Sequence, residues 1–212
     1  MNYAYYILFI QLLSSDANGA RYMTPKILAF AGSLRKDSYN KKLIKIAIKG
    51  AEEAGGQVTY IDLKDYPLPI YDQDIEDATG LPENALKLKK LFEGHDGFLI
   101  SAPEYNSSLS AAFKNVIDWV SRPARADEVY LCGFIDKVVT LMSASPGGLG
   151  GLRGLVHARS MFSNIYSIVL PRQKCIVQAD QAFLPDGNLK DPKAQKEVQN
   201  LGKGLVEFFK RP

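Results

Sequence analysis

The sequence predicts a three-layer α/β sandwich, in which a parallel sheet is covered by helices on both faces. Short apolar runs alternate with stretches that carry apolar residues at helical spacing, from residue 26 to the end of the chain. No repeat, low-complexity tract or linker interrupts this order. Strands that alternate with helices form parallel sheets, because each connecting helix packs back onto the sheet. A chain of 212 residues can bury the core that such a fold needs.

The composition narrows the class of protein. Hydrophobic residues make up 46% and charged residues 23%, which is typical of a globular protein and not of a disordered chain or a fibre. The net charge of 26 − 23 = +3 is far from the dense positive charge of a nucleic-acid binder. Two cysteines and two histidines, without metal-ligand spacing, indicate neither a metal site nor a histidine-based hydrolase. We therefore expect a bound cofactor to carry the chemistry.

Five strands and five helices are predicted in alternation. The first strand, ILAFA, is continuously apolar, as in a strand buried on both faces. The first helix should end at Gly55-Gly56, and Pro82 suits the first turn of the second helix. The acids at 72–77 are expected to form a solvated loop. The strands are expected at 27–31, 57–63, 97–102, 137–143 and 165–170. The helices are expected at 39–54, 81–93, 109–121, 152–162 and 191–210.

Residues 1–22 precede this pattern, and we interpret them as an N-terminal extension of a domain that spans 23–212. The apolar run at 3–13 is too short to cross a bilayer. Small residues follow it, as in a secretory signal, but no Lys or Arg precedes it. An extension with the true start at Met23, a signal-like segment and an extra packed element all stay open. We expect a cytoplasmic protein without a membrane partner.

The loop after the first strand has the chemistry of a phosphate site. It reads GSLRKDSYN and leads directly into a helix. The N-terminus of a helix offers unpaired N–H groups and a positive dipole end. Ser33, Ser38 and Asn40 could donate hydrogen bonds to a phosphate, and Arg35 could pair with its charge. The alternative is that Ser38 or Asn40 only caps the helix.

Two further loops follow the third and fourth strands. The first contains PEYN, and an aromatic ring beside an amide suits a planar ligand that forms hydrogen bonds. It could also be an ordinary turn in which Ser107 or Ser108 caps the next helix. The second, SASPGGLGGLRG, has four glycines within five positions, which let the backbone approach a ligand or make a flexible connector. All three loops lie at the carboxyl ends of strands, where such sheets bind ligands.

Together, GSLRKDSYN, PEYN followed by LSAAFKNVIDWVSRP, and SASPGGLGGLRG resemble the NADPH-dependent FMN reductase family. This is the flavodoxin-like group that includes quinone, chromate and azo-compound reductases. The resemblance runs from about Lys26 to Phe209 and implies a five-stranded parallel sheet in the order 2-1-3-4-5. The segment 125–136 differs from the family's usual short connector, and residues 1–22 have no recognised counterpart.

The resemblance also implies a set of cofactor contacts. The residues that would hold the FMN phosphate are Ser33, Arg35, Ser38, Tyr39 and Asn40. The isoalloxazine ring would be lined by Pro103, Glu104, Tyr105 and Asn106, and closed on its other side by Ser145 and Gly147. No catalytic side chain is implied. Glu104 is a weak candidate proton donor, with a hydrogen-bonding role at the rim as the alternative.

The implied activity is electron transfer from NADPH or NADH through FMN to a flavin, quinone, azo or similar small acceptor, by a ping-pong mechanism. The family's usual assembly implies a homodimer or homotetramer. Arg122, Arg125 and Arg153 are possible contacts to the 2′-phosphate of NADPH, but no loop decides between the two nucleotides. The alternative function is a flavodoxin-type electron carrier, although such carriers are strongly acidic and lack an arginine like Arg35. A flavin-free regulatory module is a third possibility.

Overall fold

The computed structural model describes residues 14–15, 21–22 and 24–210. Within the predicted extension, Ser14–Ser15 pairs antiparallel with Arg21–Tyr22. The apolar run at 3–13 and Met23 lie outside the described residues, so the alternatives for that run stay predictions. No helix among the described residues is both long and apolar enough to cross a membrane.

A parallel sheet forms the middle layer, as predicted. Its strands are β1 (Lys26–Ala31), β2 (Gln57–Asp62), β3 (Gly97–Ser101), β4 (Val138–Ala144), β5 (Ile168–Val169) and β6 (Lys174–Ile176). They pair in the order β2-β1-β3-β4, and both β5 and β6 pair with the outer side of β4. The predicted order is therefore confirmed, with the fifth position divided between two short strands.

The prediction of one fifth strand at 165–170 was wrong in extent. Only Ile168–Val169 pairs there, opposite Val138 and Val139. Pro171 follows and has no N–H to donate to a ladder, so the chain leaves the sheet. Pairing resumes at Lys174–Ile176, a segment for which no strand was predicted.

Helices cover both faces of the sheet. They are α1 (Tyr39–Glu53), α2 (Gln73–Thr79), α3 (Glu83–Glu93), α4 (Ala111–Val120), α5 (Leu152–Asn164), α6 (Ala179–Ala182) and α7 (Pro192–Phe208). One core joins the sheet to α1 and α7, and the other joins it to α3, α4 and α5. Strand β1 contributes to both cores, because Ile27 and Ala29 face the first core whereas Leu28 and Phe30 face the second.

Two local predictions need correction. The acids Asp72, Asp74 and Asp77 are exposed as expected, whereas Glu76 is half-buried against Arg122, and all four belong to α2 and its N-cap and do not form a loop. Asp72 accepts a hydrogen bond from the N–H of Asp74, and acids in a first turn are stabilised by the helix dipole. Pro82 is the N-cap residue of α3, one position before the helix proper.

The segment 125–136, which differs from the family pattern, is anchored in the second core. The side chain of Phe134 is fully buried against Phe92 and Phe98, with ring centroids 5.4 and 6.4 Å away. Glu128 forms an ion pair of 2.5 Å with Lys89, and both side chains are almost fully buried. Burial would raise the pKa of Glu128, but hydrogen bonds from the Lys89 ammonium and other donors hold it below its ordinary value. The segment is therefore an integral part of the domain.

Helices α1 and α7 pack backbone against backbone. A Cβ atom at Gly202 would lie 1.9 Å from the carbonyl oxygen of Ala47, and one at Gly50 would lie 2.0 Å from that of Gln199. Neither position has room for a side chain. Gly204, two residues further along α7, differs, because a Cβ atom there would meet no heavy atom within 4 Å.

We expect Gly202→Ala to lower the free energy of unfolding by about 3 kcal/mol or more, since backbone atoms must move apart to admit the methyl group. Gly204→Ala is the matched control in the same helix. It should raise the free energy of unfolding by about 0.5–1 kcal/mol, because alanine loses less conformational entropy than glycine in a helix. Urea unfolding followed by circular dichroism measures both, and equal effects of the two substitutions would contradict the packing described here.

Candidate functional site

The three polar loops meet at the carboxyl edge of the sheet, around a cavity of about 70 Å³. Its lining includes these residues singled out from the sequence: Ser33, Arg35, Ser38, Tyr39, Asn40, Pro103, Glu104, Tyr105 and Ser145. Asn106 and Gly147 do not belong to that lining. Pockets for whole organic ligands typically measure about 300–1,000 Å³. The cavity therefore has room for a small group and not for a whole nucleotide.

The loop after β1 presents a helix N-terminus and a cation to this cavity. Ser38 is the N-cap of α1, and its Oγ accepts a hydrogen bond of 3.2 Å from the N–H of Asn40. Ser33 is buried, and its Oγ accepts from the N–H of Arg35 at 3.4 Å. The Arg35 side chain forms no ion pair with any carboxylate in the described part of the chain. Ser38 thus caps the helix, its contact to a phosphate stays a prediction, and Arg35 is left available for an anion.

Asn40 joins the loops to one another. Its Oδ1 accepts hydrogen bonds from Ser101 Oγ at 2.8 Å and from the N–H of Ala144 at 3.0 Å. Its Nδ2 donates to the carbonyl oxygen of Ala144 at 2.9 Å. The side chain is buried, so the start of α1 is fixed to the ends of β3 and β4. These contacts give Asn40 a positioning role, and the prediction that it donates to a phosphate stays a prediction.

An aromatic pair that the sequence reasoning missed supports the same loop. The ring of Tyr39 stacks on Phe183, with centroids 6.0 Å apart and planes within 10°. The Cζ atom of Arg35 lies 5.9 Å from the Tyr39 centroid. Lys42 Nζ lies 5.9 and 5.8 Å from the centroids of Tyr39 and Phe183. Phe183 follows the short helix α6, where no motif marks it.

The loop after β3 is a tight hairpin. Glu104–Tyr105 pairs antiparallel with Ser108–Leu109, and Asn106 and Ser107 turn the chain with φ angles of 50° and 67°. The expectation that Ser107 or Ser108 caps the next helix was wrong. Ser110 is the N-cap of α4, and it also donates to the carbonyl oxygen of Gly32 at 2.5 Å. This bond ties the hairpin loop to the loop after β1.

Glu104 is bound to the N-terminal turn of α5. Its Oε1 lies 2.9 Å from Nε and 2.7 Å from Nη2 of Arg153 and accepts their hydrogen bonds. Its Oε2 accepts a hydrogen bond of 3.1 Å from the N–H of Gly154. Burial alone would raise its pKa, but these hydrogen bonds and the charge of Arg153 hold the pKa below the ordinary value. A carboxylate of this kind is ionised at neutral pH. Glu104 is therefore unsuited to donate a proton and acts as an anchor between the hairpin and α5.

The glycine-rich loop after β4 is held by backbone hydrogen bonds at its start. The N–H of Ser145 donates to the carbonyl oxygen of Ile176 at 3.1 Å, and its own carbonyl accepts from the N–H of Ala179 at 3.1 Å. The edge strand β6 and helix α6 thus hold the start of this loop through backbone hydrogen bonds.

The glycines of this loop occupy positions with different structural requirements. Gly150 and Gly151 have φ angles of 60° and 92°, and a Cβ atom on Gly151 would lie 1.9 Å from Ser143 Oγ. The N–H of Gly147 donates to Ser145 Oγ at 3.2 Å. A Cβ atom on Gly148 would meet no heavy atom within 4 Å. The first half of the loop therefore faces open space, and the second half is held against the sheet.

A doubly wound sheet in which the N-terminus of a helix follows β1, with two further loops beside it, defines a flavodoxin-like protein, and sheets of this kind bind ligands at their carboxyl edge. The model of the NADPH-dependent FMN reductase family matches residues 25–181, and the chain belongs to this family. It is an NAD(P)H-dependent oxidoreductase with FMN as its cofactor.

Individual relatives agree with this assignment. A probable NADPH:quinone oxidoreductase 2 of Oryza sativa subsp. japonica is 34% identical over 193 residues, which cover 88% of this chain and 89% of that protein. An NAD(P)H-dependent FMN reductase of Pseudomonas aeruginosa is 31% identical, with 88% and 96% covered. The structure of FerB, an NAD(P)H:(acceptor) oxidoreductase from Paracoccus denitrificans, superposes with a TM-score of 0.72 at 28% identity, covering 88% of this chain and 97% of that one.

Asn40→Ala should lower the free energy of unfolding by about 2–3 kcal/mol, because it leaves buried groups of Ser101 and Ala144 without partners. It should also weaken FMN binding, since the loop ends are no longer fixed. Asn164→Ala, which replaces an exposed asparagine at the end of α5, is the control and should change neither quantity. Urea unfolding and flavin fluorescence titration measure the two effects. An unfolding midpoint for Asn40→Ala equal to that of the control would refute the positioning role.

Glu104→Gln should lower the free energy of unfolding by about 1–2 kcal/mol at pH 7. A carboxylate with a lowered pKa stabilises the fold above its unfolded-state pKa, near 4.5, and that contribution is lost as the pH falls through the lower folded-state value. The difference between parent and variant should thus be constant above about pH 5.5 and shrink on acidification. Urea unfolding between pH 7 and pH 3 tests this, and a difference that grows in acid would contradict it.

Proposed function

We propose that the cavity holds the phosphate of FMN against Arg35 and the first turn of α1, and that the flavin ring lies in the groove between the PEYN hairpin and the loop after β4. The observation that carries this proposal is the phosphate-sized cavity lined by Ser33, Arg35 and Ser38, with both ring-flanking loops at its border. Charge-assisted bonds from arginine are the strongest protein contacts to phosphate.

The residues present fit this cofactor. Arg35 is exposed, and a helix N-terminus adds a partial positive charge beside it. Ser33 and Ser38 keep hydroxyl groups at the border of the cavity. The open space around Gly148 leaves room for a ring to lie against the backbone of that loop. A hydrogen-bonding set of this kind, with one cation and no carboxylate except the anchored Glu104, suits an anion better than a metal ion.

When bound, the flavin accepts two electrons from NAD(P)H and passes them to the acceptor, so the protein's part is to bind, orient and tune the cofactor. Ser33, Arg35 and Ser38 fix the phosphate end. Asn40 and Ser110 hold the loops in register, and Glu104 holds the hairpin on α5. Because one groove borders the ring-flanking loops, NAD(P)H and the acceptor would occupy it in turn, which gives ping-pong kinetics.

The acceptor class that we propose is quinones. Several relatives carry the name quinone oxidoreductase or quinone reductase, among them those of Oryza sativa and Escherichia coli. Initial rates over a grid of NADPH and quinone concentrations test this proposal, with NADH, free FMN and an azo dye as the comparison substrates. Parallel double-reciprocal lines support alternate occupation, and intersecting lines refute it.

The three arginines considered for the 2′-phosphate of NADPH are all engaged. Arg122 Nε donates to Glu76 at 2.8 Å, Arg153 is bound to Glu104, and Arg125 lies 3.4 Å from Asp127. Because each of these side chains already has a carboxylate partner, none of them favours specific recognition of the 2′-phosphate. We therefore propose that both NADH and NADPH serve as donors.

A homodimer or homotetramer is the assembly that we propose. The exposed side chains of Leu149, Leu152 and Val156 form an apolar surface at and before the start of α5, next to the flavin loops.

All of the parallel sheet and all of the proposed site lie within residues 24–210, which supports residues 23–212 as the reductase domain.

Arg35→Ala should weaken FMN binding by about 10- to 150-fold, as expected for the loss of one charge-assisted bond to phosphate. Riboflavin lacks the phosphate, so it should bind the variant nearly as it binds the parent protein. Lys36→Ala is the matched control and should have a much smaller effect on FMN. Fluorescence titration of each apoprotein gives the dissociation constants. Equal losses for FMN and riboflavin would show that the phosphate lies elsewhere.

A further inference from the structure

A second cavity, of about 500 Å³, lies between the outer edge of the sheet and the C-terminal half of α7. It opens where the edge strand is interrupted between β5 and β6, because Leu170, Pro171 and Arg172 leave the sheet there. Its volume is within the range of small-molecule sites. Thr140, which lines it, precedes Ala144 at the flavin edge by four residues of β4, or about 13 Å. The cavity is thus separate from the proposed flavin site.

A buried hydroxyl group without a partner borders this cavity. Thr140 is 1% exposed, and its Oγ1 has no hydrogen-bond partner in the part of the chain that the structure describes. Buried hydroxyl groups are normally paired, because an unpaired one loses its bonds to water without replacement. The same burial keeps a ligand in the cavity from reaching this oxygen, so Thr140 belongs to the cavity wall and is not a ligand contact.

The glycine at position 204 leaves the cavity open. Gly204 lies inside α7 and lines the cavity, yet a Cβ atom there would meet no heavy atom within 4 Å. Neither close packing nor a positive φ angle requires glycine at this position, in contrast to Gly202. Glycine inside a helix costs about 1 kcal/mol relative to alanine. The absence of a side chain at position 204 keeps the volume of the cavity free.

The lining provides one available cation and apolar walls. Arg172 is exposed and forms no ion pair among residues 24–210. The loop that carries it is held from the other face of the sheet, where Arg159 donates to the carbonyl oxygen of Leu170 at 3.0 Å and to Gln173 Oε1 at 2.9 Å. Arg172 is therefore not needed to fix its own loop. The carboxylate of Glu207 at the cavity lies 3.5 Å from Lys203, which offsets its charge.

We propose that this cavity is a second ligand site, which binds a small aromatic carboxylate. The carboxylate would pair with Arg172, and Asn200 offers an amide donor. The ring would lie against Leu201 and Phe208, which line the same cavity. One exposed cation with apolar walls suits a carboxylate on a ring better than a phosphate, which takes several donors.

Isothermal titration of the FMN-saturated protein with 2-naphthoate tests the site, with neutral 2-naphthamide and inorganic phosphate as comparison probes. We expect 2-naphthoate to bind with one site per chain, and 2-naphthamide to bind about tenfold more weakly because it lacks the charge. Excess FMN should not displace it. Displacement by FMN, tighter binding of phosphate, or no heat of binding with the ligand at about 10 mM would each overturn the proposal.

Three variants locate the binding. Gly204→Leu fills the cavity and should abolish binding, while Arg172→Gln and Asn200→Ala should weaken it by about tenfold and about threefold. Arg125→Gln, which removes another exposed arginine, is the matched control and should leave binding unchanged. Because Gly204→Leu could disturb α7, its thermal unfolding and FMN affinity are measured as well. If that variant is unstable, the surface variant Arg172→Gln decides, and unchanged binding by it would overturn the assignment.

Discussion

The geometry of the proposed flavin site depends on one buried amide. Through three hydrogen bonds, the side chain of Asn40 holds the first turn of α1 at the ends of β3 and β4. Each of these groups is buried, so each must be paired within the protein. The distances between the three loops are therefore set by hydrogen-bond length, and little freedom remains to vary them. Ser110 and Glu104 add two further ties, and the result is a rigid rim for a cofactor that carries all of the redox chemistry.

The sheet could be predicted because its central strands are continuously apolar and too short for a helix, which is typical of strands buried on both faces. The elements that escaped prediction are those with little buried surface. Helix α2 has no buried residue, so no apolar stripe marks it, and its acids look like a solvated loop. The divided edge strand escaped for a similar reason: β5 and β6 are two and three residues long and only partly buried, too short to show a period.

The site was predictable to the extent that its residues sit in short motifs next to strand ends. What could not be predicted are the partners that come from distant parts of the chain. Glu104 and Arg153 are 49 positions apart, and their pairing turns a candidate proton donor into an ionised anchor. Phe183, which stacks on Tyr39, lies in a segment with no motif at all. Asn40 was recognised as a polar residue of the loop, but its partners fix its role, and a sequence does not show them.

The interrupted edge has a consequence for how chains meet one another. The outermost strand of a sheet exposes backbone N–H and C=O groups that can pair with a strand of another molecule, which is a common start of aggregation. Here that position holds two fragments separated by Pro171, and the carbonyl group of Leu170 between them is already taken by Arg159. An approaching strand finds no uninterrupted run of free groups to extend the ladder. The same break that opens the second cavity thus protects the sheet against unwanted growth at this edge.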